Sequence, residues 1–495
     1  MALIPLCLLL LGYGVAWLAL GAPRLRAAHQ WVEPMVWAPG IAFGVPSLIL
    51  FLSRAAGWNP PHWPGLLMAF ACVALVLGVL SRRDPAVARA EEDSPSSVAS
   101  PLASRAAHLV LFLFLASAPY FYGLWSDAHP DGLWDAVAIW NTKARILAQM
   151  DVEAGPVLSL QHRGGPGYPV FVPASHAQQW LLAGGLSSSI PQTTGFCFFM
   201  GLIAAVYSGL RRLSSPFVAA VGTTLLLTTP VVFRWVFSQY VDTTLAYLVV
   251  AAAGCLAARL DAPSAQAPPA FLAGLLLGLA AFTKSEAVIH VGLVLGAFVV
   301  VNVLRPENRS RMLSGSLGWM ALGLLPGLSA LVLFKLQWGA PTRAGASAYL
   351  GNLTADRLLD VDRAMQVLGS MLERMNPVTG WDTWGATWAL IALAVVLGLA
   401  RWRSQIQSAP LFLALIVVGY LFAIYFLFVA SPLPDLANHL SNTLDRLMLQ
   451  VLPVALLMGG AALGQDGRSG LGTNSSDTRD RATSTPAPNP RSTTG

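Results

Sequence analysis

Charge is what this 495-residue chain has least of. Ionisable residues make up 11% of it, against roughly 25% in a soluble domain, which is too few to cover a water-exposed surface. Lysine is nearly absent: Lys143, Lys284 and Lys335 are the only three, and the other basic residues are arginines. Cysteine is sparse too. Cys7, Cys72, Cys197 and Cys255 each lie inside an apolar segment, without metal-ligand spacing, and read as small core residues, so no disulfide is expected. There is no repeat at a solenoid or propeller period, and no alternating pattern of barrel strands. The apolar N-terminus lacks a basic leader region and reads as a retained helix rather than a cleaved signal peptide.

What is present is apolar sequence in long blocks, 55% of the chain. Leu111–Ala118, Phe217–Thr229, Val288–Val303 and Leu411–Ala430 sit in stretches almost free of ionisable residues. A helix crosses hydrocarbon with about 20 apolar residues, and in lipid the backbone must satisfy its own hydrogen bonds, so these blocks should be helices. The fold class expected is an all-α polytopic membrane protein with about 13 transmembrane helices. They are placed near 3–21, 34–53, 64–81, 106–124, 191–210, 216–233, 243–259, 270–283, 287–303, 316–337, 384–400, 409–430 and 446–464. The basic balance of +6 fits the positive-inside rule better than a nucleic-acid partner. Arg24, Arg26, Arg82, Arg83, Arg89, Arg211, Arg212, Arg259, Arg305, Arg309, Arg311, Arg401 and Arg403 fall on one side, taken as cytoplasmic.

One stretch needs arbitration. A single helix over Phe271–Leu304 would put Arg305, Arg309 and Arg311 outside. Two short helices broken at Thr283-Lys284-Ser285-Glu286 keep them inside and are preferred. Two long loops, about 125–190 and 338–383, then face outward, with shorter outer segments at Gln239–Asp242 and Ser431–Arg446. The inner pieces Arg83–Ser100 and Gly464–Gly495 are low in complexity and cannot bury a core. Three parts follow: residues 1–105 with three helices and a low-complexity loop, 106–464 as the main membrane region, and 465–495 as a disordered tail.

The outer side carries the chemistry-bearing residues. After Pro130, the residues Leu133, Val137, Trp140, Ala144 and Leu147 recur at steps of four and three, predicting an amphipathic juxtamembrane helix. Trp at headgroup level fits a helix lying flat there. Asp131, Asp135 and Thr142 fall on its polar face. Asp131 could equally be an N-cap and Asp135 a complement to the helix dipole. His162 precedes a Gly-rich turn leading to Tyr168-Pro169, and reads either as a substrate contact or as a solvated loop histidine. Asp242 could cap its helix or share a cavity with Asp135. Lys284 lies between two apolar helices, where an ammonium is costly without a partner; Glu286 is the structural partner and a phosphate the functional one. Asp435, His439, Asp445 and Arg446 are dense polar residues for a hairpin. Arg446 could grip phosphate, pair with Asp445, or snorkel. In the second loop, Leu358, Val361, Met365, Leu368 and Leu372 form another apolar stripe, expected as an interfacial or lid helix.

Taken together, Trp134-Asp135-Ala136 with Trp140, Lys143 and Ala144, Tyr168-Pro169 with Pro173-Ala174, Tyr240-Val241-Asp242, Thr283-Lys284-Ser285-Glu286, and His439 with Leu444-Asp445-Arg446 resemble the GT-C superfamily of membrane glycosyltransferases. The likeness is to bacterial family 39 members related to protein O-mannosyltransferases and aminoarabinose transferases, and it covers roughly residues 106–464. The family's His-Pro-Asp-Tyr-Pro is replaced by His162 and a Gly-rich insertion, and three extra helices come first. The resemblance implies a GT-C-like fold, with Asp135 as the catalytic base, Asp242 as the second acidic residue, and Lys284 and Arg446 as contacts to a lipid phosphate. Trp134, Trp140, Lys143, Tyr168, Glu286, His439 and Asp445 would complete the substrate site. The expected function is transfer of a sugar from a polyprenyl-phosphate donor to an acceptor on the periplasmic face of a bacterial inner membrane. Asp135, Asp242 and His439 could ligate a divalent metal, which the sequence does not demand. The alternative is a polytopic lipid or polysaccharide transporter, which would place ionisable residues nearer the midplane and often shows repeats.

Overall fold

The computed structural model describes residues 3–19, 32–58, 70, 100–150, 155, 157–158, 165, 167–260, 267–304, 315–339, 349, 351–401 and 408–464. The expected helix at 64–81 (Phe70 apart), Cys72, His162, the 83–100 loop up to residue 99, the tail after 464, and the arginines at 24, 26, 82, 83, 89, 305, 309, 311 and 403 lie outside the described residues.

Among the described residues the chain is helical, with no strand. The principal helices are α1 (Leu3–Ala19), α2 (Val32–Ala55), α3 (Pro101–Ala128), α4 (Thr142–Gln149), α5 (Phe171–Ala183), α6 (Ser189–Leu213), α7 (Pro216–Thr228), α8 (Pro230–Val236), α9 (Val241–Ala257), α10 (Ala267–Ala281), α11 (Ala287–Val303), α12 (Leu317–Gln337), α13 (Val361–Met375), α14 (Thr387–Arg401), α15 (Ser408–Val429) and α16 (Leu436–Leu463). Six of them (α2, α3, α6, α12, α15 and α16) are long and apolar enough to cross a bilayer, seven if the bent pair α7–α8 is one span. This is an integral membrane protein.

Local chemistry sets the helix starts. Ser100 and Ser215 cap α3 and α7 by accepting from Ala103 N and Val218 N, with Pro101 and Pro216 at the first helical position. That is where a missing N–H does no harm. Pro230 breaks the predicted 216–233 helix: α7 and α8 meet at 66° across Thr229. The break at Thr283–Glu286 between α10 and α11 is present as read.

Two expectations change. The last helix begins at Leu436, where Asp435 accepts from Asn438 N at 2.9 Å, so the supposed outer hairpin is helical and Arg446 lies ten residues inside α16. Residues 171–183, expected only as part of the long outer loop, form a helix that is buried from Phe171 to Trp180.

α10 and α12 approach backbone to backbone. A Cβ on Gly274 would fall 2.0 Å from Met320 O, and one on Gly323 2.0 Å from Phe271 O; one on Gly278 would fall 2.6 Å from Leu324 O, and one on Gly327 2.2 Å from Gly278 C. Paired small-xxx-small faces of this kind let membrane helices touch where lipid provides no hydrophobic drive. The contact brings the C-terminal ends of both helices together, and with them Lys284 and Lys335. At the opposite end Glu33 of α2 pairs with Arg212 of α6, beside Cys255 and so about 20 Å along α9 from Asp242.

Candidate functional site

The site is assembled from the first turn of α9, the segment after α10, the middle of α16 and the segment before α4. Asp242, in the first turn of α9, is fully buried and has every acceptor position used. Lys284 Nζ donates to Oδ1 at 3.0 Å and Gln450 Nε2 to the same oxygen at 2.6 Å; Arg446 donates to Oδ2 through Nε at 3.0 Å and Nη2 at 2.9 Å. Arg446 turns its remaining nitrogen, Nη1, to Asp135 Oδ2 at 2.7 Å. Lys284 also meets Glu286 at 2.6 Å. The result is one alternating line, Asp135–Arg446–Asp242–Lys284–Glu286, in which three carboxylates face two cations. Buried charges persist only when paired and hydrogen-bonded in this way. Burial alone would lower the Lys284 ammonium, but the Asp242 and Glu286 carboxylates outweigh it and hold it above its ordinary value. Lys284 therefore stays charged at neutral pH.

Asp135 reaches this line because its segment is stitched to the turn before α9. Leu133 N donates to Ser238 O at 3.1 Å, and Asp135 N donates to the Tyr240 hydroxyl at 3.2 Å. Asn141 Nδ2 bridges Asp131 O and Gln239 Oε1, both at 3.1 Å, while Gln239 Nε2 donates to Pro130 O at 3.2 Å. Gln239 has φ of 61°, a conformation non-glycine residues hold only when their surroundings over-determine it. Gly132, at φ 80°, has no room for a side chain: a Cβ would fall 2.6 Å from Ser238 O.

Ala136–Asn141 is a π-helical turn, and it rotates the stripe. Trp140, Ala144 and Leu147 are buried as read, but Val137 is exposed and the buried positions on either side of it are Ala136 and Ile139. A π turn takes one extra residue and recurs at functional sites. Here it carries Asp135 off the polar face and onto Arg446.

Aromatic rings flank the guanidinium. Arg446 lies 4.5 Å from the Tyr240 ring centroid and 5.7 Å from that of Trp235, and these two rings stack on each other at 5.3 Å. Tyr168, close enough to feel the charges of Glu286, Lys284, Arg446 and Asp135, packs against Trp140 at 5.6 Å. Burial, then the nearby Glu286 carboxylate, push its phenol up to about 12, so it remains an O–H donor. Lys143 does not join the ion line. It is fully buried and donates to Gly165 O at 2.8 Å and Tyr168 O at 2.7 Å; burial, and secondarily Lys335, lower its ammonium to about 7. Lys335 holds the same loop from the other side, donating to Gly167 O at 2.5 Å and Ser285 Oγ at 3.0 Å. All three lysines of the chain therefore meet around residues 165–168 and 284–286.

Neither a family model, nor a curated protein, nor a solved structure matches the chain. The site is therefore read from its own geometry.

Of the residues singled out from sequence, Asp135, Asp242, Lys284, Glu286 and Arg446 form the line, and Tyr168 and Trp140 adjoin it. Trp134 does not; its side chain is 67% exposed. Asp445 points away from Arg446, accepting from Trp384 Nε1 and pairing with Arg374, both at 3.0 Å. His439 bonds Ser431 Oγ at 2.9 Å and packs on Phe428, so the trio Asp135, Asp242 and His439 is not assembled. Among the described residues no group of three His, Cys, Asp or Glu side chains is placed to hold a metal, and the two aspartates share an arginine instead.

Sequence reading missed Gln450, Tyr420 and His290. Gln450 Oε1 accepts from the Tyr420 hydroxyl at 2.5 Å and lies 3.3 Å from His290 Nε2, while His290 stacks on Tyr420 at 3.6 Å. A signal existed: Gln450 is the polar residue four positions after Arg446, hence on the same helical face, within an otherwise apolar run.

Proposed function

We propose that the protein is a GT-C-like glycosyltransferase that moves a sugar from a polyprenyl-phosphate donor to an acceptor at the periplasmic face of a bacterial inner membrane. One observation carries the reading: acidic and basic side chains from four distant segments, Asp135, Asp242, Lys284 and Arg446, share one contiguous ion-pair line.

In this scheme Asp135 takes the proton from the acceptor hydroxyl, whose oxygen attacks the anomeric carbon as the bond to the lipid phosphate breaks. Lys284 and Arg446 stabilise the charge that develops on the departing phosphate, an effect strengthened where water is excluded. Asp242 orients both cations. Tyr168 offers a proton-bearing hydroxyl at the edge of the site, and the prenyl chain lies among the lipid-facing helices. Because both cations are already paired, the donor phosphate binds by displacing a carboxylate from Arg446. Asp135 is the more exposed of its two partners, and its release leaves it free as a base.

The test is Asp135→Asn in native membranes supplied with a radiolabelled polyprenyl-phosphate sugar. We expect transfer to fall by roughly 10²–10⁴-fold at unchanged protein level; full transfer by normally expressed D135N defeats the assignment. The hydrogen-bonded line from His290 through Gln450 to Asp242 is what a proton-coupled transporter would use instead. The same assay separates the two, since a transferase consumes the donor and a transporter delivers it intact to the far leaflet.

A further inference from the structure

α13 has three faces. Arg363, Val367 and Met371 are buried against the rest of the molecule. Asp362, Gln366 and Glu373 are exposed and polar. Val361, Met365, Leu368 and Leu372 are exposed and apolar, each between 41% and 69% accessible. At 3.6 residues per turn these sectors are centred about a third of a turn apart. A helix resting on a soluble protein needs two faces, one apolar and docked and one polar in water. A third, apolar and uncovered, requires a third medium.

The position of α13 identifies that medium. Arg363 donates through Nε to Val429 O at 2.7 Å, and through Nη2 to Phe428 O at 2.9 Å and Ser431 O at 3.1 Å. Those carbonyls lie in the last turn of α15, a span of 22 residues, and, at Ser431, just beyond it, and so mark where hydrocarbon gives way to headgroups. At its other end α13 is tied by Arg374 to Asp445 on α16, at 3.0 Å. Leu358 and Leu359 just before the helix, and Val378 and Trp381 just after it, are exposed as well, and tryptophan is favoured at this depth. Below it the outward side of α15 shows Val418 and Phe422, both exposed, as a lipid-facing belt would.

We propose that α13 lies along the bilayer surface, with Val361, Met365, Leu368 and Leu372 seated in the acyl–headgroup boundary of the leaflet bordering the ion-pair site. The lipid occupies the third face, as for amphipathic helices that lie in the interface plane. Since Arg374 grips the residue next to Arg446, this seating fixes α16 against the membrane surface at the level of the site. The inference does not depend on the transferase reading.

The test is spin labelling at 361, 362, 365, 366, 368, 372 and 373, one position at a time, in the full chain with its four cysteines replaced by alanine, reconstituted in phosphatidylcholine vesicles containing phosphatidylglycerol. Collisions with oxygen and with a water-soluble nickel chelate are measured. Labels at 361, 365, 368 and 372 should be oxygen-accessible and lose access to nickel, while 362, 366 and 373 should show the reverse. Nickel access at the apolar positions, or protection from both reagents as under a second copy, overturns the proposal. Should the cysteine-free chain not purify, photo-crosslinking residues at the same positions in the native chain decide the same question: lipid adducts support the proposal, and water or protein adducts overturn it.

Discussion

Two helices of this protein carry the same sequence signature and meet opposite fates. Trp134–Gln149 and α13 both show an apolar stripe at steps of three and four beside an acidic face. The first is wedged into the protein, with Trp140, Ala144 and Leu147 fully buried; a π turn shifts its register, and Asp135 before it enters the ion-pair line. The second is pinned by two arginines and leaves its stripe bare. Periodicity reports that a helix has an apolar side and is silent on what covers it. The difference lies in the anchors. The first is fastened by backbone and amide bonds through Asn141, Gln239 and Gly132, the second by long cationic side chains reaching carbonyls and a carboxylate.

The contrast can be broken most forcefully in the buried stripe. Trp140→Ala should destabilise the protein by about 3–5 kcal/mol, as large-to-small changes in packed cores do. Met365→Ala should stay within about 0.5 kcal/mol in detergent, where a surface position has nothing to vacate. Thermal unfolding of the two variants under identical detergent conditions measures the gap, and equal losses would erase the difference between the two stripes. Next in size, Gly132→Ala forces a Cβ into Ser238 O at a positive φ, and should cost about 1–3 kcal/mol. Because the displaced segment carries Asp135, the transferase proposal expects transfer to fall further in this variant than its change in melting temperature accounts for. The smallest effect concerns Lys143. Its buried ammonium titrates near 7, well below its ordinary value, so from neutral to alkaline pH the unfolded chain binds a proton that the folded chain releases. Stability should therefore rise with pH across that window, and Lys143→Met should flatten the rise, as read from melting temperatures between pH 7 and 9. α13 contains no lysine or histidine, and substitutions of its exposed residues should leave the slope intact.

Much of the bundle was legible because lipid imposes a length. α2, α3, α6, α12 and α15 all overlap the stretches expected of them, and the break at Thr283–Glu286 followed from the side on which arginines gather. Lys284 and Glu286 were visible for a related reason, since ionisable residues stand out between apolar helices; Asp135, Asp242 and Arg446 lie in more polar segments and were singled out with the help of the family resemblance. What stayed hidden were register and partners. No residue in Ala136–Asn141 announces a π turn, yet it decides which face Asp135 occupies. The early start of α16 was written in Asp435 as a cap and in Leu436, Leu440, Leu444 and Leu447 as a stripe, but the polar residues between them gave that stretch the look of a hairpin. Trp134 and Asp445 sit next to members of the line in sequence and point elsewhere, because neighbours on a helix diverge by about 100°.

Arg446 spans both aspartates at once, and this has a consequence for how the resting protein guards itself. A guanidinium with two occupied faces has no vacancy for a stray inorganic anion, so phosphate or sulfate from the medium would have to out-compete a tethered carboxylate to enter. A ligand that also brings a hydrocarbon tail gains membrane partitioning that such ions lack. On the transferase proposal, the internal pairing works as a threshold of admission that favours anions arriving through the lipid over those arriving through water.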